Sequence, residues 1–246
     1  MGKQISTIQF TGKLGNLVGA KGAKGNVIIR PYVIPDNPNT TKQVKVRTSF
    51  LTATGLASAF GNVIIGLASA AKSLGISRRN LFVKKNYGRI TATTSTQDGK
   101  TVVNTTVDYP NLVLSQGSLP PVQFGSPSTE DPLEITVPLA DSAAAAGASA
   151  DDLAYIIAYN PVKNEAVISQ PKPRTDEEIV LMVPDYWVGD TCQVYGFGQG
   201  IADSADRVAY ESFWSGDNVL AEAEIAAIES GARYTNTSYL GTATIS

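Results

Sequence analysis

The sequence predicts an α+β protein that is mainly β: a basic N-terminal hairpin and helices, followed by a two-sheet β-sandwich. Three observations carry that reading. Charge is split, with 14 Lys and Arg against one acid over residues 1–97 (+13) and 6 against 21 over residues 98–246 (−15). One long stretch repeats apolar residues at helical spacing: Val46, Phe50, Ala53, Ala57 and Phe60 lie 4, 3, 4 and 3 apart. Short period-two runs between turn residues fill the second half. The overall charge of −2 is therefore a cancellation of two opposed blocks.

Composition removes most catalytic chemistry. The chain has no histidine, and Cys192 is its one cysteine. A Ser-His-Asp or Cys-His pair cannot form within it, nor a zinc site of the usual ligands. An internal disulfide is impossible. Cys192 lies in an apolar run and reads as a small core residue. No enzymatic activity, cofactor or small-molecule substrate is expected. The start, MGKQISTIQFTGK, lacks the charge and long apolar run of a secretory signal. The most apolar run, Val63 to Ala71, is too short to span a membrane and is bounded by Lys72. The expected location is the bacterial cytoplasm, with no membrane partner.

Three regions are expected: a basic region over 1–120, a sandwich over 121–217, and an acidic helix with a strand-like tail over 218–246. Residues 5 to 34 alternate as strands around GKLGNLVGAKGAKGN, a glycine-rich loop carrying Lys13, Lys21 and Lys24. It is not a phosphate loop, because Lys24 follows Ala23 and precedes Gly25. Thr40 with Gln43 forms a capping box that starts the long helix. Lys42, Lys45 and Arg47 crowd its first two turns, where the helix dipole disfavours cations. Either water screens them, or a bound anion takes up both the cations and the free N–H groups. A second, apolar helix is expected over Val63 to Ser73. Ser77 caps a third that carries Arg78, Arg79, Lys84 and Lys85, anchored by Leu81 and Phe82. With Arg89 and Tyr87, these basic groups form a polyanion-facing patch.

From Ile90 the period becomes two. Two strands flank the Asp98-Gly99 turn, with Val103, Thr105, Val107 and Tyr109 on one face. Between 121 and 215 seven strands are expected: VQFG, LEITVPLA, LAYIIAYN, EAVISQ, EIVLMVP, TCQVYGF and RVAYESFW. LAYIIAYN is apolar on both faces, as a central strand requires. That count and spacing fit an immunoglobulin-like or fibronectin type III-like sandwich. Pro138 and Pro184 should fall at edges or bulges. The acids at strand ends, Asp151, Asp152 and Asp176 among them, read as solvated loop charge rather than a calcium site. VLAEAEIAAIES is a short acidic helix. The tail RYTNTSYLGTATIS has strand composition but no vacancy in a complete seven-strand sandwich, so it is expected to pair with a neighbouring subunit or the N-terminal strands.

GNVIIRP, NPNTTKQVKVRTSF, SRRNLFVKKN, DYPNLVLSQGSLP, YNPVKNEAVI, VGDTCQVYGF and AYESFWSG occur in that order over about residues 10 to 216. Through these the chain resembles a family of uncharacterised Bacteroidota proteins, a domain of unknown function. The resemblance implies the same two-part architecture and supplies no activity or site residues. The glycine-rich hairpin followed by NPxT, Gln and Arg is also similar to small phage-encoded proteins.

The expected function is a structural or assembly protein, of the bacteriophage virion type, with other copies of itself and other structural proteins as partners. Lys13, Lys21, Lys24, Arg30, Lys42, Lys45, Arg47, Arg78, Arg79, Lys84, Lys85 and Arg89 would contact DNA or RNA backbone, without base readout. One alternative dispenses with nucleic acid and docks the basic end of one subunit on the acidic body of the next. Another is an exported immunoglobulin-like surface-binding module, suggested by Trp187, Trp214 and the tyrosines.

Overall fold

The computed structural model describes residues 11–21, 27–34, 39–97, 100–140, 142, 145–217 and 219–246. The expected strand at Ile8 and Phe10, the loop residue Lys24 and the Asp98-Gly99 turn lie outside these. The chain forms two compact units, 1–40 and 41–246.

In the first unit, β1 (Gly12–Leu14), β2 (Leu17–Lys21) and β3 (Val27–Pro31) form an antiparallel meander in that order. Tyr32 N–H reaches Asn16 O at 2.7 Å, which puts the hydrogen-bonded positions of β3 at even numbers. Pro31, lacking an N–H, falls at an odd one and breaks no bond. Leu14, Ile28, Val33 and Ile34 are each more than half exposed, so among the described residues of this unit strand pairing rather than a core holds the meander.

The second unit begins with α1 (Thr41–Phe60). Gly61, at φ +41°, breaks it, and Ile64 at ψ 47° is not helical. Residues 61–67 therefore take two 3-10 turns, and α2 (Ala68–Leu74) starts later than the apolar run predicts. Gly75, left-handed at φ +63°, ends it. Ser77 Oγ accepts from Asn80 N–H at 3.2 Å and caps α3 (Arg78–Asn86), as expected. β4 (Ile90–Gln97) and β5 (Lys100–Val107) form the expected hairpin, with Val103, Thr105 and Val107 half-buried and Asn104, Thr106 and Asp108 exposed.

The remaining elements are β6 (Gln123–Phe124), β7 (Glu134–Ala140), β8 (Leu153–Asn160), β9 (Glu165–Ile168), β10 (Lys172–Pro173), β11 (Glu178–Met182), β12 (Thr191–Gly200), α4 (Ser204–Ser215), α5 (Glu222–Gly231), β13 (Arg233–Tyr234) and β14 (Ser238–Thr244). Among the described residues they build two antiparallel sheets. In one, β8 and β12 are central, with β9 and β10 beside β8 and β13 and β14 beside β12. The other has the order β11-β7-β6.

β8 shows how the layers stack. Its even residues, Ala154, Ile156 and Ala158, share a core with Ile135, Val137, Ile179 and Leu181 of the three-stranded sheet. Its odd residues, Leu153, Tyr155, Ile157 and Tyr159, share another with Leu56, Phe60, Leu67 and Phe82 of the helical region. The period-two alternation thus feeds two cores, and all eight residues are buried. Phe60 stacks on Tyr159 with ring centroids 4.8 Å apart. The molecule is a mixed α+β fold, mostly antiparallel β. A free-standing sandwich would leave the outer face of β8 wet, whereas here helices roof it.

Four further sequence expectations change. RVAYESFW is helical, within α4: Asp203 caps it by accepting from Ala205 and Asp206 N–H, and Gly216 at φ +84° stops it. Tyr210, Phe213 and Trp214 then share a helical face that strand alternation would have split. The tail fills the vacant place, because β14 pairs with β12 over Thr191–Gly196 rather than with another subunit. Pro138 sits inside β7, the central strand of its sheet. It is tolerated because its missing N–H faces Gly125, just past the end of β6, where Gly125 N–H still donates to the Pro138 carbonyl at 2.8 Å, while opposite Glu178 no bond falls due. Finally, the apolar stripe of α1 is buried only in its second half: Ala53, Ala57 and Phe60 are core, but Val46 and Phe50 are exposed.

Candidate functional site

The uncovered half of α1 faces α3 across an apolar groove of about 490 Å³. Val46 and Phe50 form one wall, Val83 and Tyr87 the other, with Arg47 and Lys84 at the rim. Local sequence explains the geometry. Arg79 donates to Ser58 Oγ at 2.6 Å and Thr54 O at 3.4 Å, tying the start of α3 to the middle of α1. Asn86 closes the other end of α3: it accepts from Val113 N–H at 2.7 Å and donates to Val113 O at 2.9 Å.

The sequence-selected cations fall into separate groups. In the first unit, Lys13 places its ammonium 3.9 Å from the Tyr32 ring centroid, a cation–π contact, and Arg30 is exposed on β3. Lys21 ends β2. In the second unit, Lys42 and Arg47 are exposed and Lys45 half-buried on the first turns of α1. Lys84 and Lys85 occupy the last turn of α3, where the helix dipole favours them, and Arg89 follows in a 3-10 turn. Among the described residues, Lys42, Lys45, Lys84, Lys85 and Arg89 form no ion pair with an acid. Arg78 is different, since its guanidinium lies 2.7 Å from Glu229. Arg78 and Arg79 are thus tied up in structure, and the groove collects Arg47 and Lys84.

The acidic half largely neutralises its own cations. Arg207 pairs with Asp151 at 2.6 Å, buried Arg174 with Asp152 at 3.3 Å, and Lys172 with Asp176 at 3.8 Å. Of the strand-end acids expected to be solvated, Asp152 is buried and partnered, while Asp151 and Asp176 pair with cations yet keep much of their side chains in solvent. The segregation of sign read from the sequence is bridged at Arg78–Glu229, where acidic α5 packs beside α2.

Sequence reasoning missed two features. Phe50 and Val46 read as core because their spacing continues that of Ala53 and Phe60. The cations interleaved with them at 42, 45 and 47 are the signal that this half lies uncovered. A buried polar chain also went unseen. Tyr155 Oη donates to Gln199 at 2.6 Å, Gln199 to Tyr234 Oη at 3.2 Å, and Tyr234 to the Glu229 carbonyl at 2.8 Å. Tyr210 donates to the Glu229 carboxylate at 3.0 Å. Burial raises the Glu229 pKa, opposed by Arg78 and Tyr210. Both its oxygens are engaged, so this network braces α4, α5 and the sheet. Burial, with Asp190 nearby, pushes the Cys192 thiol up to about 12. A neutral buried thiol is not a nucleophile.

Among the described residues no single helix is long and apolar enough to cross a membrane, and no three acidic or cysteine side chains cluster as metal ligands would. No curated protein matches the sequence. A family model described as a family of unknown function, DUF6266, matches residues 9–216, ending before α5 and β14. The chain belongs to that family.

Proposed function

We propose that this chain is a non-enzymatic structural or assembly protein, of the kind that builds a bacteriophage particle, whose basic surface contacts nucleic-acid backbone or a neighbouring subunit. One observation carries the reading: exposed Phe50 and Tyr87 flank a groove rimmed by Arg47 and Lys84, with Lys85 and Arg89 close by in sequence. Aromatic faces beside cations suit single-stranded nucleic acid, where bases stack and phosphates pair. The β body serves as scaffold, read as a sandwich of the immunoglobulin or fibronectin type III kind with a helical roof.

The test is binding of single- and double-stranded nucleic acid across salt concentrations, with electron microscopy of the same samples. With about six phosphate contacts, log affinity should fall with log salt at a slope near −5. Absence of binding at low salt overturns nucleic acid as the partner.

The second reading, head-to-tail self-assembly, is favoured by Leu14, Ile28, Val33 and Ile34, exposed on a stretch whose residues 11–34 carry four cations and no acid. Assemblies that form without nucleic acid and dissolve in high salt would support it.

A further inference from the structure

Two strands of this chain end in open edges of opposite charge. Leu139 N–H bonds Glu177 O at 2.8 Å and Val183 N–H bonds Leu133 O at 2.9 Å, which fixes the alternation along β11. Residues 179 and 181 therefore point their backbone groups at β7, and Glu178, Val180 and Met182 point theirs away. Among the described residues of this unit those outward groups have no backbone partner, since β11 ends its sheet. Neither proline nor lysine blunts this edge, as edge strands usually require. Glu178 and Met182 are exposed, and Asp176 and Glu177 precede them.

β3 ends the other sheet. With its even residues bonded to β2, Val27 and Ile29 turn their N–H and C=O groups outward, and Pro31, at the end of the strand, turns only a C=O outward. Ile28 and Ile29 are 56% and 40% exposed, Arg30 is exposed, and residues 11–34 contain no acid. Each strand is five residues long.

We propose that β3 of one copy adds to the free edge of β11 in a second copy, extending the three-stranded sheet between subunits. The proposal rests on the self-assembly reading and names its contact. Backbone pairing would satisfy outward groups on both strands, and the basic unit would meet Asp176, Glu177 and Glu178. Like edges do not suit each other. Two β11 strands would bring acids together, and two β3 strands cations. Because donor and acceptor edges differ, the contact is heterologous and repeats from subunit to subunit as a ring or filament.

The test uses the full chain in analytical ultracentrifugation over a concentration series at low and high salt. Val180→Pro removes an outward N–H that the native ladder does not use, so far-UV circular dichroism and the β7–β11 pairing should survive. Association should weaken about tenfold or more. Glu178→Lys and Arg30→Glu should each weaken it about threefold or more, and the double variant should recover most of the loss. Should Val180→Pro misfold, the charge exchange decides alone. Oligomers indifferent to all these variants would overturn the strand addition while leaving self-assembly standing. A chain that stays monomeric at every concentration, including one whose own β3 occupies its β11, would overturn both.

Discussion

The Arg78 guanidinium donates to the Glu229 carboxylate at 2.7 Å, joining the start of α3 to α5 across 151 residues of chain. Glu229 is 7% exposed at its side chain and Arg78 32%, so the acid depends on the contact more than the base does. Arg78→Ala would leave a buried carboxylate held by Tyr210 alone. Allowing for the part of the guanidinium that water screens, the loss should be about 1–3 kcal/mol. Urea unfolding should show a lower midpoint with an unchanged slope. An unchanged midpoint would mean the contact contributes nothing.

Glu229 also gives stability a pH dependence of defined sign. Burial raises its pKa above the ordinary 4.5, against the pull of Arg78 and Tyr210. The folded chain then binds this proton more tightly than the unfolded one. The contribution is complete below the unfolded pKa and is lost as pH rises through the folded value. The stability difference between wild type and Glu229→Gln should shift toward wild type as pH falls from neutrality toward 4.5. A difference that is flat over that window contradicts the assignment.

Two phenylalanines on one helix should behave oppositely. Phe60 is fully buried against Tyr159 and Phe82, and Phe60→Ala should cost about 3–5 kcal/mol. Phe50 is 54% exposed, and Phe50→Ala should change stability by no more than about 0.5 kcal/mol. Its effect should appear instead in nucleic-acid affinity, at about 1–3 kcal/mol for one stacked base. Full affinity in Phe50→Ala would remove the groove from the interface.

Cys192 should be silent to thiol reagents in the folded protein. It is fully buried, and its thiol is pushed up to about 12. Modification at pH 8 should follow global unfolding and accelerate with denaturant. Reaction at the rate of a free thiol without denaturant would show that β12 is locally open.

Removing residues 236–246 should not merely trim a tail. β14 covers the edge of β12, and Ala243 and Ile245 belong to the inter-sheet core. Thr237 Oγ1 accepts from Leu114 and Ser115 N–H, each at 2.8 Å. The truncated chain should lose cooperative unfolding and aggregate through the exposed β12 edge. A soluble truncation with wild-type melting would show that β14 is dispensable.

Local order was legible in the chain alone. Period-two alternation marked β7, a run apolar on both faces marked β8, short apolar runs between turn residues marked β11 and β12, a capping serine marked α3, and the two signs of charge were assigned to the two halves. The lack of histidine and the single cysteine limit the chemistry whatever the fold. What required the tertiary structure was which surfaces are covered. Spacing continues unbroken from Val46 to Phe60, yet of that stripe only Ala53, Ala57 and Phe60 are buried, because burial depends on the neighbour and not on the helix. Tyr155 and Ile156 are both apolar, and only the layering shows that one faces helices and the other a second sheet. The place of β14 was invisible for the same reason: its pairing with β12 is a long-range contact, and nothing local distinguishes a strand that completes its own sheet from one that seeks another chain.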